Sequence, residues 1–146
     1  MKRIKRLVVG LILSIAIQPV STAVVRPAGL PFNYDAVPLG QIRVTHYTHH
    51  ETASRLTSSG YLLKDSDEGQ VCAISRDWWR KTVKPGDLVW IEGHARPCRA
   101  LDTMALRNSK GFAQRRWIDI YHTDRQKAYD WGIHRATAYL LRPRVR

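Results

Sequence analysis

The sequence predicts a mainly β domain, a closed six-stranded barrel with two short helices, and three observations carry that expectation. Six short runs rich in β-branched and aromatic residues follow one another between Gln41 and Leu141. Glycine, proline and small polar residues punctuate them at turn positions. The runs also repeat approximately: VCAIS, a helical stretch, a glycine and LVWIE are answered by WIDIY, a helical stretch, a glycine and ATAYLL, and a further strand precedes each half. Six strands in two like halves close into a barrel without leaving an exposed edge.

The chain begins with MKRIKR, which holds four cations, followed by the eleven-residue apolar run LVVGLILSIAI and by QPVSTA, which ends on the small residues Ser21 and Ala23. That arrangement is the pattern of a secretory signal peptide over residues 1–23, with an uncleaved N-terminal anchor as the competing reading. The apolar run is short for a bilayer span, so no stable membrane span is expected after cleavage, and the product is expected in the periplasm or outside the cell. Residues 24–40, VVRPAGLPFNYDAVPLG, contain three prolines and two glycines and read as an extended linker. The barrel is expected over residues 41–146.

IRVTHYT (42–48) alternates as a strand does, and GQVCAIS (69–75) supplies the second run. SRDWWRKTVKPG (75–86) is the first helix candidate, with Ser75 as its cap and a Pro85-Gly86 turn as its stop. That dipeptide presets the turn that opens DLVWIE (87–92), because proline fixes the first central dihedral and glycine takes the positive φ of the second. RPCRALDT (96–103) and WIDIY (117–121) follow. TDRQKAYDWG (123–132) is the clearer helix, with Thr123 as cap, Gln126 as its capping-box partner and Gly132 as its stop, and ATAYLL (136–141) is the last strand.

Loss of residues 1–23 takes four cations and no acid from the formal charge of +12 and leaves +8. Such a charge favours polyanions, among them anionic headgroups and the carboxylate-bearing polymers of a bacterial envelope, and export sets nucleic acid aside. Scattered charges that serve solubility give the same total. The two cysteines, Cys72 and Cys98, form an even pair in an oxidising compartment, so a disulfide is expected, worth about 3 kcal/mol through the unfolded chain. His46, His49 and His50 in THYTHHE lack a spaced carboxylate or thiolate, and no metal or other cofactor is expected. DSDEG (65–69) lacks the register of a calcium loop and reads as a turn.

VTHYT (44–48), LTSSG (56–60), VCAIS, KPGDLVWIEG, ALDT (100–103) and WIDIYHTDRQKAYDWG stand in an order and at separations that resemble the 3D domain, a family named for three aspartates. The resemblance implies a double-psi β-barrel, similar to the barrel of membrane-bound lytic transglycosylase A and to rare lipoprotein A domains, and more distantly to expansins. Two positions depart from the family: Ser75 stands where its first aspartate is expected, and DTMALRN stands where it reads DTGG.

The resemblance also implies the chemistry. Asp119 occupies the place of the catalytic acid, and a carboxyl among Trp117, Ile118, Ile120 and Tyr121 is one that desolvation keeps protonated. Strand alternation that merely points Asp119 outward is the bland alternative. Asp102 is the second carboxyl, expected on a strand beside WIDIY, in a tuning or positioning role. A lytic transglycosylase needs one acid/base, because a hydroxymethyl oxygen of the muramic acid residue is the nucleophile. Ordinary hydrolysis needs two carboxyls. Of the five tryptophans, Trp90 and Trp131 read as core and Trp117 as a sugar platform near Asp119, with Tyr47 across the groove and Thr45, Thr57 and Tyr121 as further substrate contacts. The expected partner is peptidoglycan or a related polysaccharide. The expected activity is glycan cleavage by a lytic transglycosylase type of enzyme, with a non-catalytic wall-binding barrel as the alternative.

Overall fold

A computed structural model describes residues 28–30, 33–51, 54–107, 111 and 113–144. The signal-peptide expectation lies outside the described residues. Six strands form a closed barrel: β1 (Tyr34–Tyr47), β2 (Val71–Ile74), β3 (Leu88–Ile91), β4 (Cys98–Thr103), β5 (Trp117–Tyr121) and β6 (His134–Pro143). Around the barrel they run β1-β5-β2-β4-β3-β6. β1 is parallel to β5 and β2 to β4, and every other neighbouring pair is antiparallel. Exchanging β1, β2 and β3 for β4, β5 and β6 leaves this ring of neighbours and directions unchanged, so the repeat read from the sequence has a counterpart in the strand order.

Alternation builds the interior. Ile42 and Val44 of β1, Cys72 and Ile74 of β2, Val89 and Ile91 of β3, Cys98 and Ala100 of β4, Ile118 and Ile120 of β5, and Ala138 and Leu140 of β6 form one buried cluster. Cys72 and Cys98 are joined there by the expected disulfide, across the neighbouring strands β2 and β4. A second cluster, including Tyr47, Leu63, Ala73, Leu101, Met104, Trp117 and Tyr121, covers one outer side of the barrel. β5 is thus buried on both faces, which explains its continuous apolar character.

Two segments depart from the sequence reading in their secondary structure. β1 begins at Tyr34, so residues 34–40 belong to the barrel and pair with β6 instead of forming a linker. Pro38 is accommodated because the register with β6 shifts between Pro38 and Gly40, where φ of Gly40 is +88°. Residues 75–86 form consecutive turns and no helix: Trp78 and Trp79 donate to the Ser75 carbonyl, but Arg80 adopts φ of +60° and a bridge closes between Trp79 and Val83. That left-handed residue stops helical propagation after a single turn. The Pro85-Gly86 turn is present, with φ of Gly86 at +91° and Asp87 N–H on the Lys84 carbonyl at 3.1 Å.

The other helix, α1 (Arg125–Trp131), is capped by Asp124 and not by Thr123. The Asp124 carboxylate accepts Lys127 N–H at 3.1 Å, Gln126 instead bonds Asp130 at 2.8 Å, and Gly132 at φ of +69° ends the helix. Two short 3₁₀ turns, His49–Glu51 and Asp65–Asp67, complete the elements. Among the described residues no helix is long and apolar enough to cross a membrane.

Candidate functional site

The register brings Thr45, Asp119, Ala73 and Asp102 into one row across β1, β5, β2 and β4. β2 therefore separates β4 from β5, which the sequence reading had placed side by side. With neighbouring strands ~4.8 Å apart, the two aspartates lie about 10 Å apart at their Cα atoms. All four residues line one groove of about 660 Å³.

Asp102 reaches this face through a bulge. Cys72 pairs with Ala100 but Ala73 pairs with Asp102, so Leu101 is an extra residue in β4. Uninterrupted alternation would put Leu101 opposite Ala73 and turn Asp102 into the barrel interior. Once outside, Asp102 is buried and held through one carboxylate oxygen, Oδ1, which accepts Ser58 N–H (2.9 Å), Ser58 Oγ–H (2.6 Å) and Thr103 N–H (2.8 Å). It ties the 57–60 turn to β4.

Asp119 has a sparser environment. Its neighbours on the strand face, Trp117 and Tyr121, are both buried under the outer cluster, and Asp119 sits at a gap in that cover opposite the small side chain of Ala73. Thr45 Oγ1 donates to its Oδ1, and Trp117 Nε1 donates to Thr45 Oγ1 at 3.0 Å. Burial pushes the Asp119 carboxyl up from 3.8 to about 6; the Thr45 hydrogen bond opposes this rise and the nearby charge of Glu51 adds to it. Near neutral pH this group holds or releases a proton at little cost, which suits general acid/base work.

Of the residues expected to meet substrate, Thr45 and Tyr47 line the groove with both aspartates, whereas Trp117, Tyr121 and Thr57 do not. Trp117 is 6% exposed, so its indole supports Asp119 through Thr45 and carries Arg43 over its ring at 5.3 Å. Tyr121 is fully buried, with its hydroxyl 3.4 Å from His49 Nδ1. Thr57 is buried within its own turn, where Oγ1 accepts Tyr61 N–H at 3.0 Å. Tyr47 places a buried hydroxyl without a hydrogen-bond partner among the described residues, and burial, then the charges of Asp102 and Asp119, hold the phenol protonated well above its ordinary range. Ser75 is buried and accepts Trp117 N–H at 3.2 Å.

Several groove residues escaped the sequence reading. Tyr129 and Ile133, 58% and 63% exposed, stand at the rim with apolar surface open to solvent. Glu51 lies in the wall, its own carboxyl raised by burial. A tyrosine among Arg125, Gln126, Lys127 and Asp130 was a signal available in the sequence; the position of Glu51 was not, because it depends on how the 3₁₀ turn docks.

His46 lines the groove and stacks on Trp131 at 4.1 Å, with His122 beyond it at 5.5 Å. Burial, and then the neighbouring His122, His94 and His134, lower its imidazole to about 4, so it is neutral at neutral pH. Among the described residues, no group of three or more histidine, cysteine or acidic side chains has an arrangement that could hold a metal ion. No protein-family model matches this chain, and no curated protein sequence matches it.

Proposed function

We propose that this chain is an exported, peptidoglycan-active barrel of the 3D, double-psi type, cleaving the glycan strand as a lytic transglycosylase does with Asp119 as its single acid/base. The observation that carries the reading is the Asp119 carboxyl itself: it is held by Thr45 on the floor of an open groove, with burial raising it to about 6. Protonated Asp119 donates to the glycosidic oxygen as the bond to the muramic acid C1 breaks. The resulting carboxylate then takes the proton of that residue's hydroxymethyl group as its oxygen closes onto C1, giving an anhydro end and restoring the acid. No second carboxyl is needed, which fits an Asp102 already occupied by three donors.

A second reading, a wall-binding barrel that leaves bonds intact, is favoured by Ser75. Where the resemblance leads one to expect an acid there is a buried hydroxyl engaged by the backbone of Trp117. Digestion of purified sacculi with the protein, followed by mass analysis of the soluble products, separates the readings. Anhydro-muropeptides support transglycosylation, reducing ends mean hydrolysis, and intact sacculi carrying bound protein mean the binding class.

A further inference from the structure

The groove does not end at its own rim. Arg107 and Gln114 line it and also line a second hollow of about 580 Å³, walled further by Arg76, Lys81, Arg115 and Arg116. Arg115 and Arg116 are shared in turn with a third hollow of about 400 Å³, which adds Arg43 and Arg135. Seven cations face these two hollows, and Asp77 is the one acid among the described residues that line them. None of the seven forms an ion pair with a described residue, and Arg76 Nε and Arg107 Nη1 donate instead to the Met104 and Gly111 carbonyls, at 3.1 and 2.7 Å. Asp77 accepts the backbone N–H of Arg116 on one carboxylate oxygen at 3.3 Å, so it helps fix the wall while its single charge leaves the cations in large excess.

Arg116, at the junction of the two hollows, has φ of +51°. An arginine is strained in that left-handed region, where glycine sits without cost, and strain of this kind collects at functional positions. Its backbone is fixed from both sides, by Asp77 on its N–H and by Arg43 N–H on its carbonyl at 3.0 Å. So many like charges in adjoining walls repel one another and disfavour the compact state unless an anion comes between them.

We propose that this cationic trough binds a linear polymer bearing repeated carboxylates, continuous with the glycan segment held over Asp119. A small anion would engage one hollow, whereas hollows that share wall residues in series suit a chain with charges along its length. Guanidinium groups pair with carboxylates through two parallel N–H donors, and six of the seven cations are arginines. The trough therefore selects charged strands over neutral ones of the same sugar chemistry. This assignment rests on the glycan reading of the groove.

The test uses the full chain and three probes of matched charge, namely poly-glutamate, inorganic polyphosphate and a single-stranded oligonucleotide, titrated by fluorescence anisotropy at graded salt. Poly-glutamate binding should weaken linearly in log–log form as salt rises. Joint Arg115→Glu and Arg135→Glu substitution should lower that affinity about tenfold or more at low salt and flatten the slope by about 1 per cation removed. The neutral Arg115→Gln and Arg135→Gln pair should show a smaller loss in the same direction. Lys64→Glu with Lys84→Glu, which changes net charge equally but lies away from the hollows, should stay within about twofold of the parent. Equal losses in the Lys64/Lys84 control, or a tenfold preference for polyphosphate or the oligonucleotide, would overturn the proposal. Glycan release from sacculi, measured on the parent protein, keeps the two readings apart. If it is absent while the arginine variants still lose poly-glutamate, the groove assignment fails and the trough stands; if it is present and poly-glutamate binding ignores the arginines, the trough fails alone.

Discussion

The exchange of β1, β2 and β3 for β4, β5 and β6 that maps the strand ring onto itself also maps Thr45 onto Asp102 and Asp119 onto Ala73. At equivalent places the first half carries a hydroxyl and a methyl group, and the second half carries two carboxyls. The connections differ as well: the second half follows β5 with a capped helix, and the first follows β2 with turns broken by the left-handed Arg80. Backbone symmetry thus supplies matched positions, and side-chain size and charge decide which become reactive. Asp119 faces open space because its counterpart is alanine, and Asp102 is quiet because the bulge and the 57–60 turn hand it three donors.

Asp119→Asn should break this comparison most severely. If Asp119 is the proton donor proposed above, glycan release should fall about 10²-fold or more while binding to sacculi persists. Stability should move the other way. The folded carboxyl is raised above its unfolded value, so its contribution is fully present below about pH 4 and is lost as pH rises through about 6. The asparagine variant should therefore be more stable than the parent at pH 7 to 8, by up to about 3 kcal/mol, and the difference should vanish below about pH 4. Thermal melts across that range check the sign.

Making the halves more alike is the next largest perturbation. Ala73→Asp would set a second carboxyl opposite Asp119 in the same buried row, and the pair cannot both ionise cheaply. About 3 kcal/mol of destabilisation is expected at pH 7, with recovery near pH 4. Denaturant melts at the two pH values would show it, and a loss that ignores pH would mean steric crowding alone.

Asp102→Asn retains an acceptor for Ser58 and Thr103 but loses its charge, so about 1 kcal/mol of stability and less than about tenfold in glycan release should go. An effect on release as large as that of Asp119→Asn would make Asp102 a direct participant. The smallest change expected is from Arg80→Gly, which relieves a positive φ in the turn-forming connection and should raise stability by about 0.5 kcal/mol once the added chain entropy is deducted.

The six strands were legible because β-branched and aromatic runs recur between turn residues and because both faces of β5 demand apolar residues, and the disulfide followed from cysteine count and expected export. What depended on tertiary docking was not legible. The start of β1 was hidden by Pro38, which reads as a linker residue until the register shift that accommodates it is known. The Leu101 bulge leaves no trace in the alternation of RALDT, so the row of Thr45, Asp119, Ala73 and Asp102 had no sequence signature. Trp117 was expected to display its ring to substrate, yet the residues around it bury that ring, with Arg43 over its face and its indole N–H on Thr45. The candidate helix after Ser75 has a good cap and a good stop, and it fails on a single backbone dihedral in between.

Leu101 gives β4 the character of a counter. Whether a residue downstream of it looks into the barrel or out of it depends on whether an odd or an even number of positions precedes it, and the extra leucine changes that parity. Deleting this one codon would leave every polar residue in the gene and yet drive Asp102 into an interior packed with aliphatic groups, abandoning Ser58 outside. Loss of a residue can therefore be harsher here than replacement of one, and homologous barrels that differ by a single gap in this strand should not be assumed to present the same groove.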